Sequence, residues 1–130
     1  MKRPKSTVFY SLKELERKGY IKGYQAILDP KALDFDFTAI TFVNTKYEPG
    51  YHRKIGEQLA KIKGVRAVYF VFGDIDLILI VSARNRKQYL KILEEIMNIE
   101  GVVRTSSHIV ADTIKEDFSY DLSLLLDQEQ

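Results

Sequence analysis

Residues 62–83 read IKGVRAVYFVFGDIDLILIVSA, and two features of this stretch decide the architecture. Val65–Phe72 and Leu77–Ala83 are apolar, β-branched and aromatic runs of strand length. Between them Gly73-Asp74-Ile75-Asp76 has the residue types of a tight connection. The opening Ile62-Lys63-Gly64-Val65 also returns 37 residues later as Ile99-Glu100-Gly101-Val102. Each copy closes a helix and opens a strand. Upstream of the first copy, Tyr51–Ile62 has helical spacing, with Ile55, Leu59 and Ile62 on its inner face. Upstream of the second, Asn85 caps a longer helix whose apolar stripe is Tyr89, Ile92, Leu93, Ile96 and Ile99. Phe37–Tyr47, ended by Pro49-Gly50, supplies the first strand and Val102–Ile114 the fourth. Right-handed crossovers then predict an α+β, ferredoxin-like βαββαβ domain, with both helices on one face of a four-stranded antiparallel sheet. The periodicity of Phe118–Leu126 fits a helix and a strand equally.

The other face of that sheet needs a cover. Val65, Ala67, Tyr69 and Val71 alternate with Val68, Phe70 and Phe72, so this strand is apolar on both sides. Leu77, Leu79 and Val81 likewise oppose Ile78 and Ile80. Antiparallel strands with one solvated face normally alternate with polar residues, and monomers rarely expose an apolar face this large. Face-to-face self-association is therefore expected, a homo-dimer or higher oligomer, most economically a two-fold dimer that pairs the sheets in a barrel-like α/β arrangement. Aspartate at Val71 or Leu79 is expected to separate the copies if either residue lies on the outer face.

The remaining sequence is a different kind of segment. Residues 1–24 carry seven basic groups against Glu14 and Glu16, a net +5, whereas the other 106 residues carry a net −3. A basic head on a mildly acidic body fits a nucleic-acid-binding segment joined to another module. Ser6 or Thr7 can cap a helix with Val8, Leu12 and Leu15 on one face, stopped after Lys18 by Gly19. Ser11 and Glu14 match a capping box but lie inside the apolar period. Tyr20–Leu28 reads as an extended or hairpin-like exit, and Asp29-Pro30 opens a turn that runs to Leu33. These divisions predict a basic helical segment over 1–24, a linker over 25–36, the sheet domain over 37–117 and a tail over 118–130.

Composition narrows the classes. Apolar residues make up 45% of the 130 and charged residues 29%, the balance of a globular protein. The longest apolar run, Ala67–Phe72, is far short of the ~20 residues of a membrane helix. There is no cysteine, which removes disulfides and thiolate chemistry. No secretory signal is legible behind Met1-Lys2-Arg3-Pro4, and a cytoplasmic location without membrane contact is expected.

The run Ser6-Thr7-Val8, Leu12, Leu15-Glu16, Gly19, Ile21-Lys22-Gly23-Tyr24 and Asp29-Pro30, followed by Gly73-x-x-Asp76 and Gly101-Val102, Arg104-Thr105 and Ser107, resembles the Lrp/AsnC (feast/famine) family of transcriptional regulators. The resemblance covers essentially the whole chain. It implies a helix-turn-helix that binds double-stranded DNA and a βαββαβ domain that dimerises and binds amino acids or other small metabolites. The family has helices ahead of the recognition helix, and this chain begins almost at that helix, so the resemblance implies that 1–24 is a partial helix-turn-helix, the recognition helix and its exit. Phe9, Tyr10 and Ser11 stand where the family often has arginines, and Phe72 where a small hydroxyl residue is common.

On that resemblance, Ser6, Thr7, Tyr10 and Ser11 reach bases in the major groove, and Lys2, Arg3, Lys5 and Lys13 meet phosphates. Four neutralised phosphates correspond to a salt slope of about −3.6 per chain. In the effector site, Gly73 allows close backbone approach, Asp74 and Asp76 accept from an ammonium group, and Thr105 and Ser107 meet a carboxylate. The plain alternative is that Gly73–Asp76 is only a hairpin turn. An enzyme finds little support: the two histidines are His52 and His108, and Asp112 lies roughly 13 Å along a strand from His108. Ser107 points away from His108. No catalytic residue, metal-ligand set or cofactor motif is expected. A further alternative is a stand-alone effector-binding and oligomerisation module that modulates longer paralogues without binding DNA.

Overall fold

The computed structural model describes residues 5–126 and divides the chain into two compact units, Met1–Leu33 and Asp34–Gln130. The division falls inside the segment read as a linker.

The first unit is built on helix α1 (Lys5–Arg17), none of whose residues is buried. The helix begins at Lys5, so Ser6 and Thr7 lie within its first turn rather than capping it. Its end is as expected: Lys18 N–H donates to Glu14 O and Tyr20 N–H to Leu15 O, with Gly19 left-handed at φ +85°. Tyr20–Leu28 takes no regular structure and pairs with no strand. Leu33 N–H then donates to Asp29 O, and the Asp29 carboxylate accepts from Lys31 N–H, closing the expected turn.

The second unit contains β1 (Phe37–Thr45), α2 (Tyr51–Leu59), β2 (Val65–Phe70), β3 (Leu77–Ala83), α3 (Arg86–Met97) and β4 (Val102–Ile109), with a short 3-10 turn at Leu122–Leu126. The strand order β2-β3-β1-β4, antiparallel throughout, is that of the ferredoxin-like βαββαβ fold. One face is packed by the helices. Ala39, Thr41 and Val43 of β1 and Leu77, Leu79 and Val81 of β3 meet Ile55 and Leu59 of α2 and Tyr89, Ile92 and Ile96 of α3. Asn85 caps α3, its carboxamide oxygen accepting from Gln88 N–H at 2.8 Å.

The repeated glycines interlock the two halves. Gly64 follows α2 at φ +98°, and a Cβ there would lie 2.6 Å from Ile92 of α3. Gly101 follows α3 at φ +102°, and a Cβ there would strike Tyr51 and Ile55 of α2. Each half's glycine thus lets the other half's helix descend onto the sheet.

Five points need correction. A register shift between Val65 and Ala67 puts Val65 opposite Val81 and Val68 opposite Leu79, so both face the helices. Only Ala67 and Tyr69 of the first set share the open face. Leu79 is fully buried on the helix side and does not lie on the outer face. β4 stops at Ile109 rather than Ile114, and β2 stops at Phe70 rather than Phe72. Finally, α2 ends at Leu59, its last turn tightening as Lys61 and Ile62 donate three residues back to Gln58 and Leu59.

Candidate functional site

Helix α1 presents two opposed faces. At 100° per residue, Ser6, Tyr10, Lys13 and Arg17 lie opposite Val8, Leu12 and Leu15, with Thr7 and Ser11 to one side. Lys5, Ser6, Thr7, Tyr10 and Lys13 are exposed, and Ser11 is half-buried. Lys2 and Arg3 lie outside the described residues. The Lys13 ammonium sits 5.4 Å over the Phe9 ring, a cation–π contact that holds the charge near the helix. Arg17 clasps Glu14 through two contacts of 2.9 and 3.1 Å. That guanidinium holds the Glu14 carboxyl below its ordinary value, and the carboxylate raises Arg17 in return. Val8, Leu12 and Leu15 are 43%, 37% and 40% exposed, so the apolar face is open as well.

The β2–β3 hairpin carries the second candidate cluster. Gly73 has φ +150° and open space where a Cβ would stand. The Asp74 side chain is exposed, while its carbonyl accepts from the Asn44 carboxamide at 2.9 Å. Asp76 is turned inward: its carboxylate accepts from Thr45 N–H at 2.8 Å, and its own N–H donates to Val43 O. Asp76 therefore fastens the hairpin to the end of β1, which leaves Asp74 as the free carboxylate of the pair.

Thr105 and Ser107 do share a face, as strand alternation requires. They lie on the helix side of β4, opposite Val43 and Thr41. The Ser107 hydroxyl is 2.6 Å from the Tyr89 hydroxyl, which is 2.6 Å from that of buried Thr41. Because β1 runs between β3 and β4, the hairpin's strand and β4 are roughly 10 Å apart. The five effector candidates therefore form two clusters in one chain, Gly73–Asp76 and Thr105–Ser107. The Thr41–Tyr89–Ser107 chain escaped the sequence reading. Its only signal is that Tyr89 falls in an otherwise aliphatic helix stripe.

The open face of the sheet is largely apolar. Ile40 and Phe42 of β1, Ile78 and Ile80 of β3, and Ala67 and Tyr69 of β2 lie on it by register. His108 is exposed on the same face, its ring 4.9 Å from that of Phe42. His52, read as a surface helix residue, is half-buried and stacks on Phe70 at 3.8 Å. Among the described residues no His, Cys, Asp or Glu cluster is placed to hold a metal ion, and no helix is long and apolar enough to cross a membrane.

Residues 38–120, from the start of β1 past the end of β4, match the Lrp/AsnC ligand binding domain. The chain belongs to the Lrp/AsnC family of transcriptional regulators. It is 34% identical over 112 residues to an uncharacterised HTH-type transcriptional regulator of Pyrococcus abyssi, covering 86% of this chain and 75% of that one. A feast or famine regulatory protein from M. tuberculosis, complexed with L-methionine, superimposes with a TM-score of 0.76 at 26% identity over 88% of this chain and 77% of that one. A transcriptional regulator from Neisseria meningitidis in complex with L-Met shares the fold, with a TM-score of 0.84 at 22% identity over 92% of this chain and 79% of that one. The Lrp/AsnC ligand-binding fold is thus the sheet unit, and it holds both Gly73–Asp76 and Thr105–Ser107.

Proposed function

We propose that this Lrp/AsnC chain is a DNA-binding transcriptional regulator that pairs through its open sheet face and answers a small metabolite such as an amino acid. The observation that carries the DNA-binding part is the two-faced α1. Ser6, Tyr10, Lys13 and Arg17 form a polar, cationic face for a major groove, with Thr7 and Ser11 beside it. Lys2, Arg3, Lys5 and Lys13 supply phosphate contacts, which give affinity without reading sequence. Such a regulator works where its DNA is, in the cytoplasm.

The effector part is supported by the relative that binds L-methionine and by the exposed Asp74 carboxylate beside Gly73. Asp74 would take the ammonium group, with Asp76 holding the hairpin in shape. Thr105, and Ser107 through its tie to Tyr89, offer hydroxyls across β1 for a carboxylate. Thr105 and Ser107 lie on the helix side of β4, so one site that uses both clusters needs a contact other than the open face. Regulation follows if the metabolite binds one assembly state more tightly than another.

The test is fluorescence anisotropy on the protein's own upstream region and a scrambled duplex, at two salt concentrations, with and without L-methionine and other amino acids. Preference for the upstream region, a log–log salt slope approaching about −3.6 per chain, and a shift on adding an amino acid are expected. Equal weak binding to both duplexes would overturn the DNA-binding reading. The uncovered Val8, Leu12 and Leu15 favour a second reading, a stand-alone effector and oligomerisation module acting on longer paralogues. Absence of mixed dimers with a full-length relative would sink that reading.

A further inference from the structure

The four strands contain no aspartate or glutamate. Their only groups that carry positive charge are Arg66, Arg104 and His108. All three belong to the open face. His108 and Arg104 stand opposite Ile40 and Asn44 of β1, and the Arg66 guanidinium reaches the Ser82 hydroxyl at 3.4 Å. The face is otherwise apolar or neutral: Ile40, Phe42, Ile78, Ile80, Ala67 and Tyr69, with Thr38 hydrogen-bonded to Ser82. The His108 ring lies against Phe42, and its Nε2 is 3.4 Å from the Ser106 hydroxyl.

Two copies laid face to face would cover this surface. Four strands at ~4.8 Å and six to nine residues at ~3.3 Å span roughly 20 by 25 Å. The two faces together then bury on the order of 1,000 Å², the lower bound for a specific interface. A two-fold pairing doubles every charge on the face, so four guanidiniums and two imidazoles gather with no carboxylate from any strand. Among the strand residues, the charged group on His108's own strand is Arg104, four positions and roughly 13 Å away, and β1 beside it carries none. Tyr69 and Arg66 lie across the sheet on β2. The nearest acids in sequence, Asp112 after β4 and Asp36 before β1, stand beyond the strand ends, roughly 13 Å along the strands from His108 and its partner Ile40.

We propose that His108 makes this pairing pH-dependent, the pair loosening as pH falls through the histidine range. The proposal rests on the open face being the pairing surface. Histidine is the side chain whose charge ordinarily changes between pH 5 and 8. Covered by a second apolar face, the imidazole would give up its water on pairing, which disfavours its charged form. The paired state then binds fewer protons than the separated chains, so pairing is full above the histidine range and is lost as pH falls through it. With two imidazoles per pair, the dissociation constant rises about 100-fold between pH 7.5 and 5.5.

Fluorescence-detected sedimentation of the full chain, diluted at pH 7.5, 6.5 and 5.5, reads this directly. The wild type is expected to show the ~100-fold weakening, with less than ~3-fold in His108→Gln and in His108→Asn. His52→Gln, altered on the helix side, keeps the wild-type slope. A pair indifferent to pH, or one whose slope survives both His108 substitutions, overturns the role of His108 while leaving the pairing surface intact. A chain that stays monomeric at pH 7.5 overturns the pairing surface itself, and the proposal with it.

Discussion

The hydroxyl of Thr41 is fully buried on the helix side of β1, and Tyr89 is its side-chain partner at 2.6 Å. Tyr89→Phe removes that partner and strands a polar group in the core, which costs about 1–3 kcal/mol. Urea unfolding of the variant checks the loss, and adding Thr41→Val should return most of it because no polar group is then left unpaired. Ser107 is exposed and can turn to water, so Ser107→Ala should cost much less. If Thr41→Val fails to rescue Tyr89→Phe, the hydroxyl chain is not what holds α3 to β1 and β4. At the other end of the chain, Glu14 titrates below its ordinary value because Arg17 clasps it. The ionised pair therefore helps α1 above the ordinary glutamate pKa, and the help is lost as pH falls through the depressed one. Carboxyl NMR titration should find Glu14 low in the wild type and back in the ordinary range in Arg17→Ala.

Among the elements, the repeated glycine is the position where the helices and the sheet constrain each other most. Gly101→Ala puts a Cβ into Tyr51 and Ile55 at a φ of +102°, so strain and overlap add. A loss of about 2–4 kcal/mol is expected in denaturant unfolding, against about 1 kcal/mol for Asn85→Ala, which removes only the α3 cap. The repeat was legible in the sequence because each copy sits at a helix-to-strand junction where both periods change. β3 and the first turn of α3 were legible to the residue for the same kind of local reason: unbroken apolar alternation, and an asparagine that caps. What was not legible depended on pairing. The shift between Val65 and Ala67 is set by how β2 seats against β3, and no periodicity along β2 alone records it. The Asp76 carboxylate is likewise spent on Thr45, 31 residues earlier in the chain, a partner that hairpin composition cannot name. In the candidate effector site the predicted fold already sets β1 between the hairpin's strand and β4, but the residue types did not show that Asp76 would be turned inward and Asp74 left exposed.

For the whole molecule, the effect of a substitution depends on which side of the sheet it falls. Leu79 and its neighbours Ile78 and Ile80 are consecutive residues of like size on β3, yet they face opposite ways. Leu79→Asp places a charge in a fully buried site among α2, α3 and the sheet, where it has no partner, and should unfold the sheet unit outright. Ile78→Asp and Ile80→Asp place the same charge on the open face, which a single copy leaves to water. Each should keep the far-ultraviolet circular dichroism and cooperative unfolding of the sheet unit while abolishing pairing, since two carboxylates would be buried for every pair formed. Sedimentation and circular dichroism on the three variants separate these outcomes. If Ile78→Asp and Ile80→Asp remain paired, the apolar open face is covered by something other than a second sheet. Any response to a metabolite would then have to act through a different contact.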